Sequence, residues 1–170
     1  AFLAEGNLTD YYVSVSNVDE TFQERVRSFA ERFDLSVNEY DNESGFATGH
    51  DIRVNGTVLT DFLNAACYED ETKTVPDFAF GAPRSFVRGL LAGYFSGDGN
   101  VAERAVRASS TDDRLVEGVA LLLARFDIYA TLGRQDSSRT LRVPAKFVPG
   151  FADRIGMVGE RGTELDPVAE

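Results

Sequence analysis

The chain carries one stretch of sequence twice. Glu5-Gly6-Asn7 recurs as Asp98-Gly99-Asn100, 93 positions on, and the same offset takes Val13 to Val106, Ser16 to Ser109, Asp19 to Asp112, Glu24 to Glu117, Val26 to Val119 and Arg32-Phe33-Asp34 to Arg125-Phe126-Asp127. No gap is needed. A repeat of this length predicts two copies of one unit about a pseudo-twofold axis, not the short stacked units of a solenoid. Units of about 85 residues are small, so the two are expected to share a core, which the 43% of hydrophobic residues can fill. Each copy opens with an acid followed by glycine, which would set two carboxylates at the axis.

The second copy shows what precedes its acid. From Ser85 to Gly97 the residues Phe86, Val87, Leu90, Leu91, Tyr94 and Phe95 recur at helical spacing, while Gly89, Gly93 and Gly97 fall four apart on one side. Glycine costs a helix interior about 0.8–1.0 kcal/mol relative to alanine, so three on one stripe require a reason. A stripe without side chains admits a second helix near the short end of the usual ~8–10 Å axial separation. Asp98-Gly99 is then expected to end the helix beside that contact, close to Glu5. Two carboxylates at short range repel, and a divalent cation is the usual means of keeping both ionised.

The segment Leu91-Ala92-Gly93-Tyr94-Phe95-Ser96-Gly97-Asp98-Gly99, approached by Pro83-Arg84-Ser85-Phe86-Val87-Arg88-Gly89-Leu90, resembles the nine-residue motif of the LAGLIDADG homing endonucleases. Ala1-Phe2-Leu3-Ala4-Glu5-Gly6 resembles the end of the more degenerate first motif of intein-borne members. The resemblance covers nearly the whole chain. It implies an α+β fold of two pseudo-symmetric αββαββα units, with antiparallel sheets that curve over double-stranded DNA. It further implies Glu5 and Asp98 as metal ligands, Mg²⁺ as cofactor, and cleavage of both strands across the minor groove at a long, degenerate target. The family places a basic residue near the attacking water in each half. Lys73, just before Val75-Pro76, matches the first such position, and Arg161 is the candidate for the second. At the sixth motif position, often aspartate in the family, this chain has Leu3 and Ser96, read as a loss of capping polarity.

The remaining pattern agrees with such units. Tyr11–Ser16 alternates as a strand, and Asp19 is expected to cap a helix to Phe33 with Phe22, Val26, Phe29 and Phe33 on its apolar side. A hairpin is predicted for 35–54 around Asp41-Asn42-Glu43-Ser44-Gly45, then a helix Thr57–Cys67. The second copy predicts a strand Ala102–Ser109, a helix Asp112–Phe126, a hairpin Ile128–Val143 and a helix Pro144–Ile155. The boundaries drawn are a first half 1–72, a connector 73–84, a second half 85–156 and a polar tail 157–170, expected to fray. In Ile52-Arg53-Val54, Val106-Arg107-Ala108 and Leu141-Arg142-Val143 the apolar neighbours point to the core, so the arginines point away. Arg53, Arg107 and Arg142 are therefore the candidates for DNA contact, with a solvated edge arginine as the alternative for each.

The formal charge of −11 looks wrong for a DNA-binding protein. Of 17 basic residues only Lys73 and Lys146 are lysine, and that bias resembles proteins of halophilic archaea. Molar salt cuts the Debye length to ~3 Å, which weakens repulsion between an acidic surface and DNA. Cys67 is the only cysteine, which excludes an internal disulfide and suits a reducing cytoplasm; its apolar surroundings predict a buried thiol. His50 stands alone, so neither a zinc pattern nor a histidine triad is present, and a loop or hairpin position is expected. No apolar run reaches the ~20 residues of a membrane span.

The chain is thus read as a monomeric, site-specific DNA endonuclease, the homing domain of a haloarchaeal intein excised from a longer parent with its host protein and splicing domain. No splicing residues stand at either end, so it is not expected to splice by itself. The second reading is a cleavage-inactive DNA-binding or maturase-like protein, or a degenerate intein remnant, on the same fold.

Overall fold

A computed structural model of the chain describes the backbone of residues 1–44 and 47–169 and the side chains of residues 1–41 and 49–165. The first unit runs α1 (Phe2–Glu5), β1 (Gly6–Leu8), β2 (Tyr12–Ser16), α2 (Glu20–Arg32), β3 (Val37–Ser44), β4 (Ala47–Asn55) and α3 (Thr57–Cys67). A two-residue hairpin, β5 (Tyr68–Glu69) and β6 (Thr72–Lys73), and a single turn, α4 (Phe78–Gly81), connect it to the second. That unit runs α5 (Arg84–Asp98), β7 (Asn100–Ala102), β8 (Ala105–Ser110), α6 (Asp113–Ala124), β9 (Thr131–Gln135), β10 (Ser138–Val143) and, after a 3-10 turn at Ala145–Phe147, α7 (Val148–Arg154). Each unit is αββαββα, as expected, with an antiparallel sheet ordered β1-β2-β4-β3 or β7-β8-β10-β9. The short strands β1 and β7 pair immediately after the two acids; three residues are too few for alternation to reveal them.

The repeat register has a local cause. Arg-Phe-Asp closes α2 and α6 alike, and Asp34 (φ 52°) and Asp127 (φ 57°) both take the left-handed conformation that turns the chain back. Asp and Asn tolerate this conformation better than most side chains.

Apolar side chains on one face of each sheet meet the helices. Val13, Val15, Ile52 and Val54 pack with Phe22, Val26 and Ala30 of α2. Phe29 and Phe33, expected on that apolar side, are 40% and 58% exposed and stack on each other at 4.9 Å instead. Ala30, one position along the turn, takes the buried place. The second core is larger and centres on α5, whose Val87, Leu91, Tyr94 and Phe95 pack against α6, β10 and Phe151 of α7. Burying such side chains contributes about 1.5–3 kcal/mol each. Cys67 is buried, and its desolvated thiol is pushed up to about 11. His50 lies in the β3–β4 hairpin with Nδ1 2.8 Å from Asp41 and Nε2 2.6 Å from Glu39. That hairpin pairs as far as Ser44 and Ala47, well into the stretch expected to turn; Gly45 and Phe46 lie outside the described residues.

The segment expected to fray is instead helical, as α8 (Glu160–Ala169). The physical reason is Asp19, which caps two helices at once. Its Oδ1 accepts from Phe22 N of α2 at 2.9 Å and its Oδ2 accepts from Glu160 N of α8 at 2.7 Å. Gly159, at φ +70°, is the turn that brings α8 there, and Leu165 seals it onto the second core.

The glycine stripe works at one end. A Cβ on Gly97 would lie 2.5 Å from Ala4 Cβ and 3.0 Å from Glu5 Cγ, and one on Gly93 2.8 Å from Ala1 N, whereas one on Gly89 would meet nothing within 4 Å. Gly97→Ala should therefore lose about 1–3 kcal/mol through overpacking. Gly89→Ala should gain up to about 1 kcal/mol from helix propensity. Urea unfolding of both variants checks the contrast, and equal effects would refute the close contact.

Candidate active site

Glu5 is the last residue of α1 and Asp98 the last of α5, so the packing of these two helices sets the acids side by side at the axis. The glycine after each is extended, not left-handed: Gly6 has φ −86°, ψ 139° and Gly99 φ −72°, ψ 150°. They are required for proximity. A Cβ would fall 2.6 Å from Phe2 O at Gly6 and 2.2 Å from Phe95 O at Gly99. The backbone thus leaves the helix so tightly that β1 and β7 start beneath the carboxylates.

Both acids are held above the usual carboxylate range. For Glu5 burial is the main cause, followed by the charge of Asp98, opposed by Arg161, a hydrogen bond from Asn17 and Lys73. For Asp98 burial again dominates, opposed by Lys73 and Arg161. Lys73 Nζ donates to Gly6 O at 2.8 Å and sits 5.3 Å from the Phe2 ring centre; burial holds its ammonium below the ordinary lysine value. Arg161 Nη1 donates to Ser96 O at 2.8 Å. The four residues singled out in the sequence, Glu5, Asp98, Lys73 and Arg161, therefore converge on one place. Each basic residue is anchored to a carbonyl at the end of its own unit's motif helix.

Two polar groups at the site escaped the sequence reading. Asn17 Nδ2 lies 3.4 Å from Glu5 Oε1; its position just after a strand and before the Asp19 cap was the available signal. Ser96, read as a lost cap, is buried and does structural work. Its hydroxyl donates to Ala92 O at 2.7 Å and accepts from Val158 N at 2.8 Å, tying the motif helix to the segment that carries Arg161. Among the described residues no group of three or more His, Cys, Asp or Glu side chains is placed to hold a metal ion. The carboxylate pair could hold a cation, which would relieve their mutual repulsion.

The three arginines singled out by alternation stand on the faces of the sheets turned away from the helices. In each triplet the apolar neighbours are at most 5% exposed. Arg107 and Arg142 are cross-strand partners and, with Asn100, Ser109 and Thr140, line a concavity of about 650 Å³ that reaches Asp98. Arg53 is held by Asp51, with Nε 3.0 Å from Oδ2. No helix of the described residues is long and apolar enough to cross a membrane.

A family profile described as LAGLIDADG-like domain matches residues 85–156. Over 168 residues, 97% of its length, the chain is 42% identical to part of the DNA-directed RNA polymerase subunit Rpo1C of Methanocaldococcus jannaschii, of which it spans 20%. Over 175 residues, 92% of its length, it is 26% identical to part of a DNA polymerase of Thermococcus hydrothermalis, of which it spans 10%. The solved structure of I-DmoI in complex with DNA and Ca superposes with a TM-score of 0.72 at 10% identity, covering 98% of this chain and 93% of the other.

The raised carboxyl values have a consequence for stability. A carboxyl whose folded-state value exceeds its unfolded one stabilises the fold below the unfolded value, about 4, and loses that contribution as pH rises through the folded value. At neutral pH both acids thus weigh against the fold. Asp98→Asn, in chelator, should be at least as resistant to urea as the parent at pH 7, with the difference shrinking towards pH 4. A variant less stable at pH 7 than at pH 4, relative to the parent, would refute this electrostatic picture.

Proposed function

Because the chain carries a LAGLIDADG-like domain over residues 85–156 and has the LAGLIDADG homing-endonuclease fold throughout, we propose that it is a site-specific, metal-dependent DNA endonuclease. The observation that carries this reading is the pair of partly buried, like-charged carboxylates at the two motif-helix ends, with two basic side chains anchored beside them. When bound, Mg²⁺ or a similar divalent ion would supply Lewis acidity to water and to the phosphate oxygens. Glu5 and Asp98 would hold it, and their elevated proton affinity makes them strong oxygen donors once ionised. Lys73, whose proton affinity burial lowers, would be the group placed to take a proton from a nearby water, and Arg161 would stand as a fixed positive charge toward a phosphate. The outer faces of the two sheets, with Arg53, Arg107 and Arg142, would grip the duplex on either side of the acids. Since both acids lie in one chain, a monomer has a complete pair.

The relatives support an intein-borne origin. One segment matches a minor part of an RNA polymerase subunit and of a DNA polymerase, as expected of an element inserted into different host genes. A net charge of −11 opposes DNA binding in dilute buffer, which fits a halophilic cell interior where salt screens it.

A randomised duplex library incubated in molar KCl with Mg²⁺ tests the activity. Asp98→Asn or Glu5→Gln should abolish double-strand cleavage and leave binding within about tenfold, since the acids face the metal more than the DNA. Cleavage by the double variant would overturn the assignment, and binding without cleavage by the parent would establish the inactive reading.

Lysine and arginine make the halves chemically unequal, so a nicked intermediate is expected. Lys73→Met should slow one defined strand by about 10²–10⁴, the contribution of a positioned acid–base group, and the other strand far less. Strand-specific end labelling of the selected duplex reads this out. Equal slowing of both strands would make Lys73 a shared structural support.

A further inference from the structure

The two sheets hold their central arginines in opposite ways. In the first sheet Arg53 pairs across with Ser14 on one side and Asn38 on the other, and Asp51, two residues back, pairs with Ser16 and Tyr40. In the second sheet Arg142 occupies the same register, paired with Arg107 and Thr131, and Thr140 stands where Asp51 does, paired with Ser109 and Gly133. Tyr12, Tyr40 and Asp51 of the first sheet thus correspond to Ala105, Gly133 and Thr140 of the second.

Those substitutions change what each arginine can do. Asp51 is 5% exposed although it lies on the outer face. It accepts from the hydroxyls of Ser14 and Ser16, the latter at 2.8 Å, and from Arg53 Nε at 3.0 Å. The Arg53 guanidinium lies 4.3 Å from the Tyr40 ring centre and 5.1 Å from that of Tyr12. A carboxylate fixes one edge of the fork, two rings confine its faces, and among the described residues neither Nη takes a hydrogen bond. The free Nη edge is the one that donates in parallel to the O6 and N7 of guanine. Arg142 has no ion pair among the described residues. At 133, where the first sheet has Tyr40, the second has glycine and so no aromatic wall.

We infer that Asp51, with Tyr12 and Tyr40, is a positioning device that makes Arg53 a pre-set reader of one guanine, so that the half-site under the first sheet is read strictly at that base pair and the corresponding pair under the second sheet loosely. A buried carboxylate on a surface that meets phosphate is otherwise a liability. Here its charge is spent on holding the guanidinium, which loses no rotamer freedom on binding. The clamped arginine rejects a wrong base because its Nη donors cannot swing away to water or phosphate. The free one can. The inference rests on the DNA-endonuclease reading and gives it a specific asymmetry.

The test is a base-preference profile from duplexes retained by the protein in Ca²⁺ and molar KCl, starting from a randomised library. The parent should favour guanine by about 10–100-fold, the discrimination of a good bidentate pair, at one position that loses its preference in Arg53→Ala. At the symmetry-related position, defined by Arg142→Ala, discrimination should be within a few-fold. Asp51→Asn should flatten the Arg53 position alone and leave the remaining profile in place, which a general loss of structure would not do. Tyr40→Leu, at a half-exposed side chain, should weaken the same position and serves if Asp51→Asn does not fold. Equal preferences in the two halves, or an unchanged profile in both variants, would overturn the inference while leaving the endonuclease reading intact. A parent that retains no duplex would overturn both.

Discussion

The contact between Gly97 and the Ala4–Glu5 end of α1 is the constraint on which the rest depends. With a Cβ–Cβ approach of 2.5 Å forbidden, only bare backbone brings the two helix ends together, and only that approach makes one site of Glu5 and Asp98. Each unit's sheet starts within two residues of its acid, so the same contact also fixes where the two sheets lie relative to the carboxylates. Burial at the contact raises both acids. The geometry that assembles the site therefore also weighs against the fold at neutral pH. Such a balance is common where function demands buried charge.

The basic side chains are set by a second layer of contacts that run between elements distant in sequence. Lys73 reaches Gly6 across 67 positions, and Arg161 reaches Ser96 across 65. Asp19 of the first unit caps α8, which carries Arg161 beside the second motif. The Ser96 hydroxyl fastens the preceding residues through Val158. Without that fastening Arg161 would be a surface residue on a short polar helix. The site is therefore completed by a segment that contributes little to either sheet.

The parts of this structure legible in the sequence are those imposed by strong local rules. Glycine at four-residue spacing, an Asp cap, β alternation about each arginine and the Arg-Phe-Asp helix stop each leave a pattern within a few residues. The unit order and the convergence of the repeated acids follow from them together with the resemblance. What escaped was decided at longer range. The strands β1 and β7 exist because a neighbouring strand pairs with them; on α2 it is Ala30, not Phe29 or Phe33, that is buried against the sheet. The helix at 160–169 forms because a side chain 141 positions away accepts its first N–H. Ser96 looked like the absence of an acid, yet a hydroxyl that both donates and accepts can link two segments where a carboxylate could only accept.

The same distinction explains where the two copies have diverged. Near the axis the halves touch each other, so the small residues there are fixed by volume, and Glu5-Gly6-Asn7 still matches Asp98-Gly99-Asn100 nearly residue for residue. On the outer faces no helix packs against the side chains. There Tyr40 stands against Gly133, Asp51 against Thr140 and Ser14 against Arg107, all in identical strand register. The scaffold keeps each side chain at the same place on its sheet while the chemistry at that place changes. A single chain with two unlike faces can match a target whose halves differ, which two identical subunits about a true twofold cannot do. The asymmetry of the outer faces is thus the physical return on having joined the two units in one chain.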